Sequence, residues 1–381
     1  MTRSLRILVV TRSYPAPGDL YQYPFVHRRV LAYAERGHEV AVFRPAVGAS
    51  RAHDYEGVTC TSGDREALGA VARDFQPDVI AAHGLSETMW PSLEPLSASV
   101  PIGAWLHGSE IPDFFKQKAM TIASAGERAR AMVELEERLA FWRNLLEEAA
   151  ARLKLVFPSR SAVAMMREDT GDRLREAEHA VIPNPIDTDL FAYAPKSEDQ
   201  RFRVLSIRPF DSPTYANDLS VAAILHLAQR PGFERLHFTI IGDGPLFDEI
   251  LRPIVHLSNV TIRRQFLTQR EIGLEHARHG IFLVPTRLDT QGVSRDEAMA
   301  SGLVPVTNAI AAVREFADED CAALAAPEDA SGLADELWRM VEAPGLFQQR
   351  SAAAAERIRA QRSNERIIPA ELSLLAEVAH E

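Results

Sequence analysis

The stretch Asp289-Thr-Gln-Gly-Val-Ser-Arg-Asp-Glu297-Ala-Met-Ala-Ser-Gly302-Leu-Val-Pro305 decides the reading of this chain. It sets two carboxylates eight positions apart, with a glycine between them. Its second half has the composition of a short helix that stops at Gly302 and feeds an apolar strand. A glycine at the mouth of a helix lets a ligand approach the first unpaired backbone N–H groups, which favour an anion. Glu297, about one turn inside, shares a helix side with Val293, so its carboxylate is placed to accept hydrogen bonds from neutral hydroxyls beside that anion. A sugar nucleotide presents both chemistries.

Around this stretch the chain is ordinary in bulk. Its 381 residues allow two domains with separate cores, and 46% hydrophobic with 25% charged residues fits a soluble globular protein. Cys60 and Cys321 lie far apart, which excludes a disulfide framework or a thiolate metal site. The apolar run near the start, Ile7 to Val10, is too short for a signal peptide or a membrane span, so it reads as a first buried strand of a cytoplasmic protein. A net charge of −11 argues against a nucleic-acid partner. The first 50 residues hold seven arginines against three acids, a bias that would suit peripheral contact with the inner face of an anionic membrane or simply solvate a helix.

Short apolar runs alternate with amphipathic stretches throughout. Strands are expected at Ile7–Thr11, Glu39–Phe43, Asp78–Ala82, Ile102–His107, Leu153–Pro158 and Ala180–Pro183, with helices near Pro24–Arg36, Arg65–Phe75 and Ala125–Ala151 and another starting at Ser159 to Ala162. In the long one, Met132, Leu135, Leu139, Trp142 and Leu146 form a stripe to be buried in the core. After the turn-rich break Pro183–Phe191 the rhythm restarts at Phe202–Ile207, Leu236–Gly242, Val260–Phe266, Ile281–Pro285 and Leu303–Thr307. This alternation predicts an α/β chain of two Rossmann-like domains, residues 1–185 and 186–360, with parallel sheets facing across a cleft. Residues 361–381 are helical in composition and could return to the first domain.

Several further segments now acquire meaning together. Val10-Thr-Arg-Ser-Tyr14-Pro-Ala-Pro-Gly18, Asp78-Val-Ile-Ala-Ala-His83, Leu106-His107-Gly108-Ser-Glu110, Ile182-Pro-Asn184-Pro-Ile-Asp187 and Ile240-Ile-Gly242-Asp-Gly244-Pro245 stand in this order around Asp289–Glu297. In order and separation the set resembles a retaining glycosyltransferase of family 4, which has the GT-B fold. The resemblance implies that Glu297 holds the donor ribose, Asp289 reaches the donor sugar, and the backbone around Gly292, Val293 and Ser294 meets sugar or phosphate. It further implies that His107 contacts the sugar from the other domain, that Arg208 neutralises the diphosphate, and that Gly242 and Gly244 form the nucleotide-side turn. His83, Glu110 and the aromatic loop with Tyr14, Tyr21 and Tyr23 would lie on the acceptor side, where aromatic faces could stack on sugar rings or merely anchor the loop.

Two departures stand out. Asp289 occupies a position where this family usually has glutamate, and no lysine follows Arg208 in Arg208-Pro-Phe-Asp-Ser-Pro-Thr-Tyr215-Ala-Asn-Asp218. Only four lysines exist, Lys116, Lys118, Lys154 and Lys196, so a diphosphate would be met by Arg208, Arg287, Arg295 or helix N-termini. The expected activity is transfer of a sugar, with retention, from a nucleotide diphosphate to a hydroxyl of a glycan or lipid-linked glycan in surface polysaccharide synthesis. No cofactor and no divalent metal are expected. Alternatives are a non-catalytic or weakly active binding partner in a glycan assembly complex and a nucleotide-sugar epimerase. A nicotinamide dehydrogenase is excluded by the absence of a Gly-x-Gly-x-x-Gly loop after either first strand.

Overall fold

The computed structural model describes residues 4–16, 20, 22–122, 124–148 and 153–380. The chain divides into two compact units, Met1–Pro185 with Asn364–Glu381, and Ile186–Ser363. The first unit contains β1 (Arg6–Thr11), α1 (Pro24–Glu35), β2 (Glu39–Pro45), β3 (Arg51–Tyr55), β4 (Val58–Gly63), α2 (Arg65–Phe75) and β5 (Val79–His83). It continues through α3 (Trp90–Ser97), β6 (Ile102–Trp105), α4 (Pro112–Met120), α5 (Ala125–Glu148), β7 (Leu153–Phe157), α6 (Arg160–Thr170) and β8 (His179–Val181). The second unit runs β9 (Arg203–Ile207), α7 (Asn217–Leu227), β10 (His237–Gly242), α8 (Phe247–Leu251), β11 (Val260–Arg264), α9 (Gln269–Arg278) and β12 (Ile281–Leu283). It ends with α10 (Val293–Ala300), β13 (Val304–Asn308), α11 (Ala311–Phe316), β14 (Ala323–Ala325), α12 (Ala330–Glu342) and α13 (Pro344–Gln361). A last helix, α14 (Asn364–His380), belongs to the first unit.

The first sheet has the order β3-β4-β2-β1-β5-β6-β7-β8. Every pair is parallel except β3 with β4. Its central strand reads as an unbroken apolar run because both faces are covered. Leu8 and Val10 point into a core shared with α2, α3, α5 and α6, while Ile7 and Val9 point to the opposite core under α1 and α14. The returning helix contributes Ile368, Leu374, Leu375 and Val378 to that second core. Of the expected α5 stripe, Leu135, Trp142 and Leu146 are buried and Met132 and Leu139 half-buried, with Leu145 added to the buried set.

The antiparallel hairpin of β3 and β4 is absent from the sequence expectation. Its side chains are exposed or half-buried apart from Cys60 and Gly63, so little apolar alternation betrays it, and the turn is made by Glu56 and Gly57, both at positive φ. The alanine-rich β14 was equally silent, its composition favouring a helix. The basic bias of the first 50 residues is partly consumed internally. Arg6 pairs with Glu39, Arg28 with Glu56 and Arg29 with Glu371.

The second sheet is wholly parallel, in the order β11-β10-β9-β12-β13-β14. This is the doubly wound arrangement in which the chain reverses direction across the sheet between its first and fourth strands, here β9 and β12. In the first sheet the corresponding reversal lies between β1 and β5. Loops leaving the carboxyl ends of such strand pairs diverge and leave room for a ligand.

Candidate active site

In the second unit the reversal point brings together Arg208, directly after β9, and the Val284–Gly292 loop after β12. Arg208 is 6% exposed. Its guanidinium donates to the carbonyls of Pro285 (3.2 Å) and Tyr215 (3.5 Å) and to Ser294 Oγ (3.5 Å), and it lies 5.0 Å from the Tyr215 ring centre. Among the described residues no carboxylate is within ion-pair distance, and the buried Nε has no partner. Burial lowers its pKa, with the negative charge of Asp289 acting in the opposite direction. Arginine nevertheless remains a cation, so an anionic ligand would complete this site.

Helix α10 starts beside it. Gly292 is the N-cap at φ 93°, ψ 59°, with no side-chain cap over the first amides. A side chain there would be strained by the left-handed backbone and would press within 3.1 Å of the Arg295 guanidinium. Glu297 is 9% exposed, and Gln269 Nε2 donates to its Oε1 at 3.4 Å. Asp289 turns back on its own loop, with Oδ1 accepting from the amides of Thr290 (2.8 Å) and Gln291 (3.1 Å).

The loop is braced from below by a buried carboxylate that sequence reasoning did not single out. Asp296 Oδ1 accepts from Arg295 Nη2 at 2.8 Å, while its Oδ2 accepts from Gln291 Nε2 at 3.1 Å and faces Arg362 Nε at 3.3 Å. Two of the expected diphosphate partners are thereby engaged elsewhere. Arg295 is held by Asp296, and Arg287 is ion-paired to Asp218 at 2.7 Å and Glu328 at 2.8 Å. Of the three arginines, Arg208 alone lacks a carboxylate partner. Where a lysine was looked for, the loop supplies Tyr215 under the guanidinium and Asn217, whose amide donates to Pro209 O at 2.7 Å.

Gly242 and Gly244 have a plain steric reason. A Cβ on Gly242 would come within 2.0 Å of Arg208 O, and one on Gly244 within 2.4 Å of Phe210 C. The glycines therefore let the β10 turn pack under the loop that carries Arg208.

In the first unit, His83 ends β5 and His107 follows β6 by two residues. Their rings stack with planes 5° apart and centroids 5.4 Å apart, and His83 Nδ1 lies 3.2 Å from His107 Nε2. Burial, then the nearby Arg29 charge, hold both well below the ordinary histidine pKa. As neutral rings they share one N–H···N bond, whereas a second proton would set two donors face to face. Glu110 is fully buried and organises this loop. Its Oε2 accepts from the amides of His107 and Gly108, both at 2.9 Å, and its Oε1 accepts from Ser109 Oγ at 2.9 Å. Tyr23 donates to the same Oε1 at 3.4 Å, and its ring and that of Phe25 pack edge-on to His107.

The acceptor-side aromatics do not form one face. Tyr14 is 1% exposed inside the core, with its hydroxyl 2.6 Å from His27 Nδ1, so its ring anchors the loop and is not offered for stacking. Tyr21 lies outside the described residues. Arg29 was also missed: it donates to Glu371 at 2.9 Å and Asn184 at 2.8 Å. Its acid lies 342 positions away in sequence, so no local signal announced it.

Among the described residues no group of three or more histidines, cysteines or acids gathers as a metal site, and no helix is long and apolar enough to cross a membrane. The two doubly wound units define a GT-B glycosyltransferase that uses a nucleotide sugar. The family described as Glycosyltransferase Family 4 matches residues 25–190, and that described as Glycosyl transferases group 1 matches residues 201–343. The chain belongs to glycosyltransferase family 4.

Solved structures share the fold along the whole chain. Sucrose-phosphate synthase from Thermosynechococcus elongatus superposes with a TM-score of 0.76 at 15% identity, covering 99% of each chain. HepE of Anabaena, in complex with UDP-glucose, gives 0.70 at 16% identity over 97% of this chain and 99% of its own. An α,α-trehalose-phosphate synthase (UDP-forming) from Burkholderia vietnamiensis gives 0.70 at 15%, covering 100% and 98%. No curated protein matches the chain by sequence.

Proposed function

We propose that the chain transfers a sugar, with retention of anomeric configuration, from a nucleotide diphosphate to a hydroxyl of a glycan or lipid-linked glycan, in the synthesis of a surface polysaccharide. The observation that carries this reading is Arg208, a buried cation without an acid partner among the described residues, beside the uncapped start of α10. Heterolysis of the anomeric C–O bond leaves charge on the diphosphate, and fixed positive groups at that point lower the barrier. Arg208 and the first amides of α10 supply them, with Ser294 Oγ between the two. Glu297 accepts the ribose hydroxyls, and Gly292 and Val293 admit the phosphate or sugar to the backbone. Asp289, whose Oδ1 is engaged by its own loop, shapes that loop and contacts the donor sugar through its remaining acceptor capacity.

In the retaining step the acceptor oxygen bonds to the anomeric carbon on the face the diphosphate leaves, and the departing oxygen takes the acceptor's proton. No enzymic base is then required, which suits a neutral His107 that hydrogen-bonds a sugar hydroxyl. The bound UDP-glucose of HepE makes a uridine-diphosphate sugar the first donor to test.

A panel of nucleotide sugars titrated into the purified chain should give saturable heat with at least one donor. Analysis of the anomeric product would then show retention. Nucleotide release without sugar transfer, whatever acceptor is offered, would favour an epimerase. Failure of every donor to bind would sink the reading.

A further inference from the structure

The carboxyl edge of the first unit carries a feature that donor chemistry leaves unused. A recess of about 450 Å3 opens at the ends of β1, β2 and β4 and the loop after β5, where Arg12, Pro45, Gly63 and Met89 border it. A second, of about 610 Å3, lies between α2 and α3, and the two adjoin at Arg65 and Ser92. Arg12, Arg65 and Arg73 line this channel in succession. The last two are eight residues apart on α2, about 12 Å along its axis.

Each arginine lacks an ion-pair partner among the described residues. That sets them apart from Arg6, Arg28, Arg167, Arg173 and Arg287, whose charges are met by acids. Two acids border the channel, Asp64 and Glu66. Asp64 already accepts from Ala67 N at 3.0 Å as the cap of α2. In a chain of net charge −11 this is a local excess of positive charge. Apolar groups accompany it: Val47 is wholly exposed, and Met89, Pro95 and Leu96 line the floor.

A file of separated cations beside an apolar wall complements an extended ligand with negative groups at intervals and apolar ring faces between them. We propose that the channel binds an acidic oligosaccharide, carboxylated or phosphorylated, as the acceptor. Calling that ligand the acceptor rests on the transferase reading above. Its outer residues lie along α2 and its terminal hydroxyl arrives at the strand ends. Arg12, at the inner mouth, donates to Ser109 Oγ at 3.2 Å and so adjoins the His107 loop. Contacts of this exposed kind are individually weak and sensitive to salt, so affinity comes from several at once.

The test uses the full chain without donor, titrated with tetragalacturonate and with its neutral counterpart tetragalactose. The acidic chain should bind at least tenfold more tightly, less so as salt rises. The triple variant Arg12→Gln/Arg65→Gln/Arg73→Gln should lose about tenfold, the sum of three exposed charge contacts. An Arg339→Gln control, exposed on the second unit, should bind as the parent does. Equal binding of the neutral chain, an unaffected triple variant, or equal competition by inorganic phosphate or a short single-stranded DNA would overturn the proposal. Titration of the nucleotide-sugar panel into the same samples keeps the two readings apart. Intact donor binding with no oligosaccharide binding removes the channel alone, and oligosaccharide binding with no donor binding removes the transferase reading alone.

Discussion

Replacing Arg208 with methionine separates the two things a buried cation can do. The change keeps most of the volume and removes the charge. In the folded protein the guanidinium makes three contacts at 3.2–3.5 Å, all to neutral oxygens, and leaves Nε unpartnered. Such long bonds from a charged donor contribute roughly 1.5 kcal/mol each, the low end for a charged group, while burying the charge costs several kcal/mol. The net contribution to stability is therefore near zero, and Arg208→Met should leave Tm within a few degrees of the parent. In the proposed reaction the transition state is different, because there the same cation would face a developing oxyanion. Loss of one preorganised donor of this kind lowers kcat by about 10²–10³, or roughly 3–4 kcal/mol. The assay is steady-state release of nucleoside diphosphate, with thermal unfolding measured on the same samples. Arg208→Lys should recover part of the rate, since its charge remains while its shorter reach cannot span the same oxygens. A methionine variant within threefold of the parental kcat would refute the role given to this residue.

Glu297→Gln should weaken nucleotide affinity by roughly 10- to 100-fold, the value of charge-assisted hydrogen bonds to two hydroxyls, with little effect on folding; isothermal titration reads it directly. Asp296→Asn leaves Arg295 and Arg362 buried without their acid and should cost about 3–5 kcal/mol in urea unfolding of the second unit. Lys196, buried with its ammonium donating to His276 O, has a pKa lowered to about 8 by burial. The unfolded chain therefore binds the extra proton between pH 8 and 10.5, so the charged form costs stability below pH 8 and that cost fades as pH rises. Lys196→Met should accordingly stabilise by an amount on the order of 3 kcal/mol at pH 7 and by progressively less toward pH 10, as followed by denaturant midpoints.

What could be read from sequence follows from where the free energy lies. β1 was legible because a fully buried strand must be apolar at every position, and α5 because a stripe at helical spacing must be covered. Gly292 and Gly302 were legible because their backbones lie in the left-handed region that other residues avoid. The β3–β4 hairpin was not, since an exposed edge needs no pattern, and its turn places Glu56 where glycine would have signalled it. At the candidate site, residue types single out Arg208 and Glu297. Nothing in the order of letters distinguished Arg208 from Arg287 and Arg295, whose carboxylate partners are chosen by tertiary contact. Tyr14 failed for the converse reason. An aromatic in a loop looks available until its hydroxyl is found on His27 inside the core.

The arginines also show how a buried charge discloses its purpose. Arg29 meets Glu371 at 2.9 Å, and the same carboxylate accepts from Tyr33 at 2.7 Å, so that charge is neutralised within the first unit and secures α14 against α1. Arg295 and Arg362 share Asp296. Each of these sites is complete in the protein alone, because breaking such a pair leaves an isolated charge and costs several kcal/mol. Arg208 is buried too and has no such acid among the described residues. Folding gains little from burying a cation in that state, which is why the proposed function gives it a partner from outside the protein. Its position after β9, beside the uncapped start of α10, suits an anion as that proposed partner.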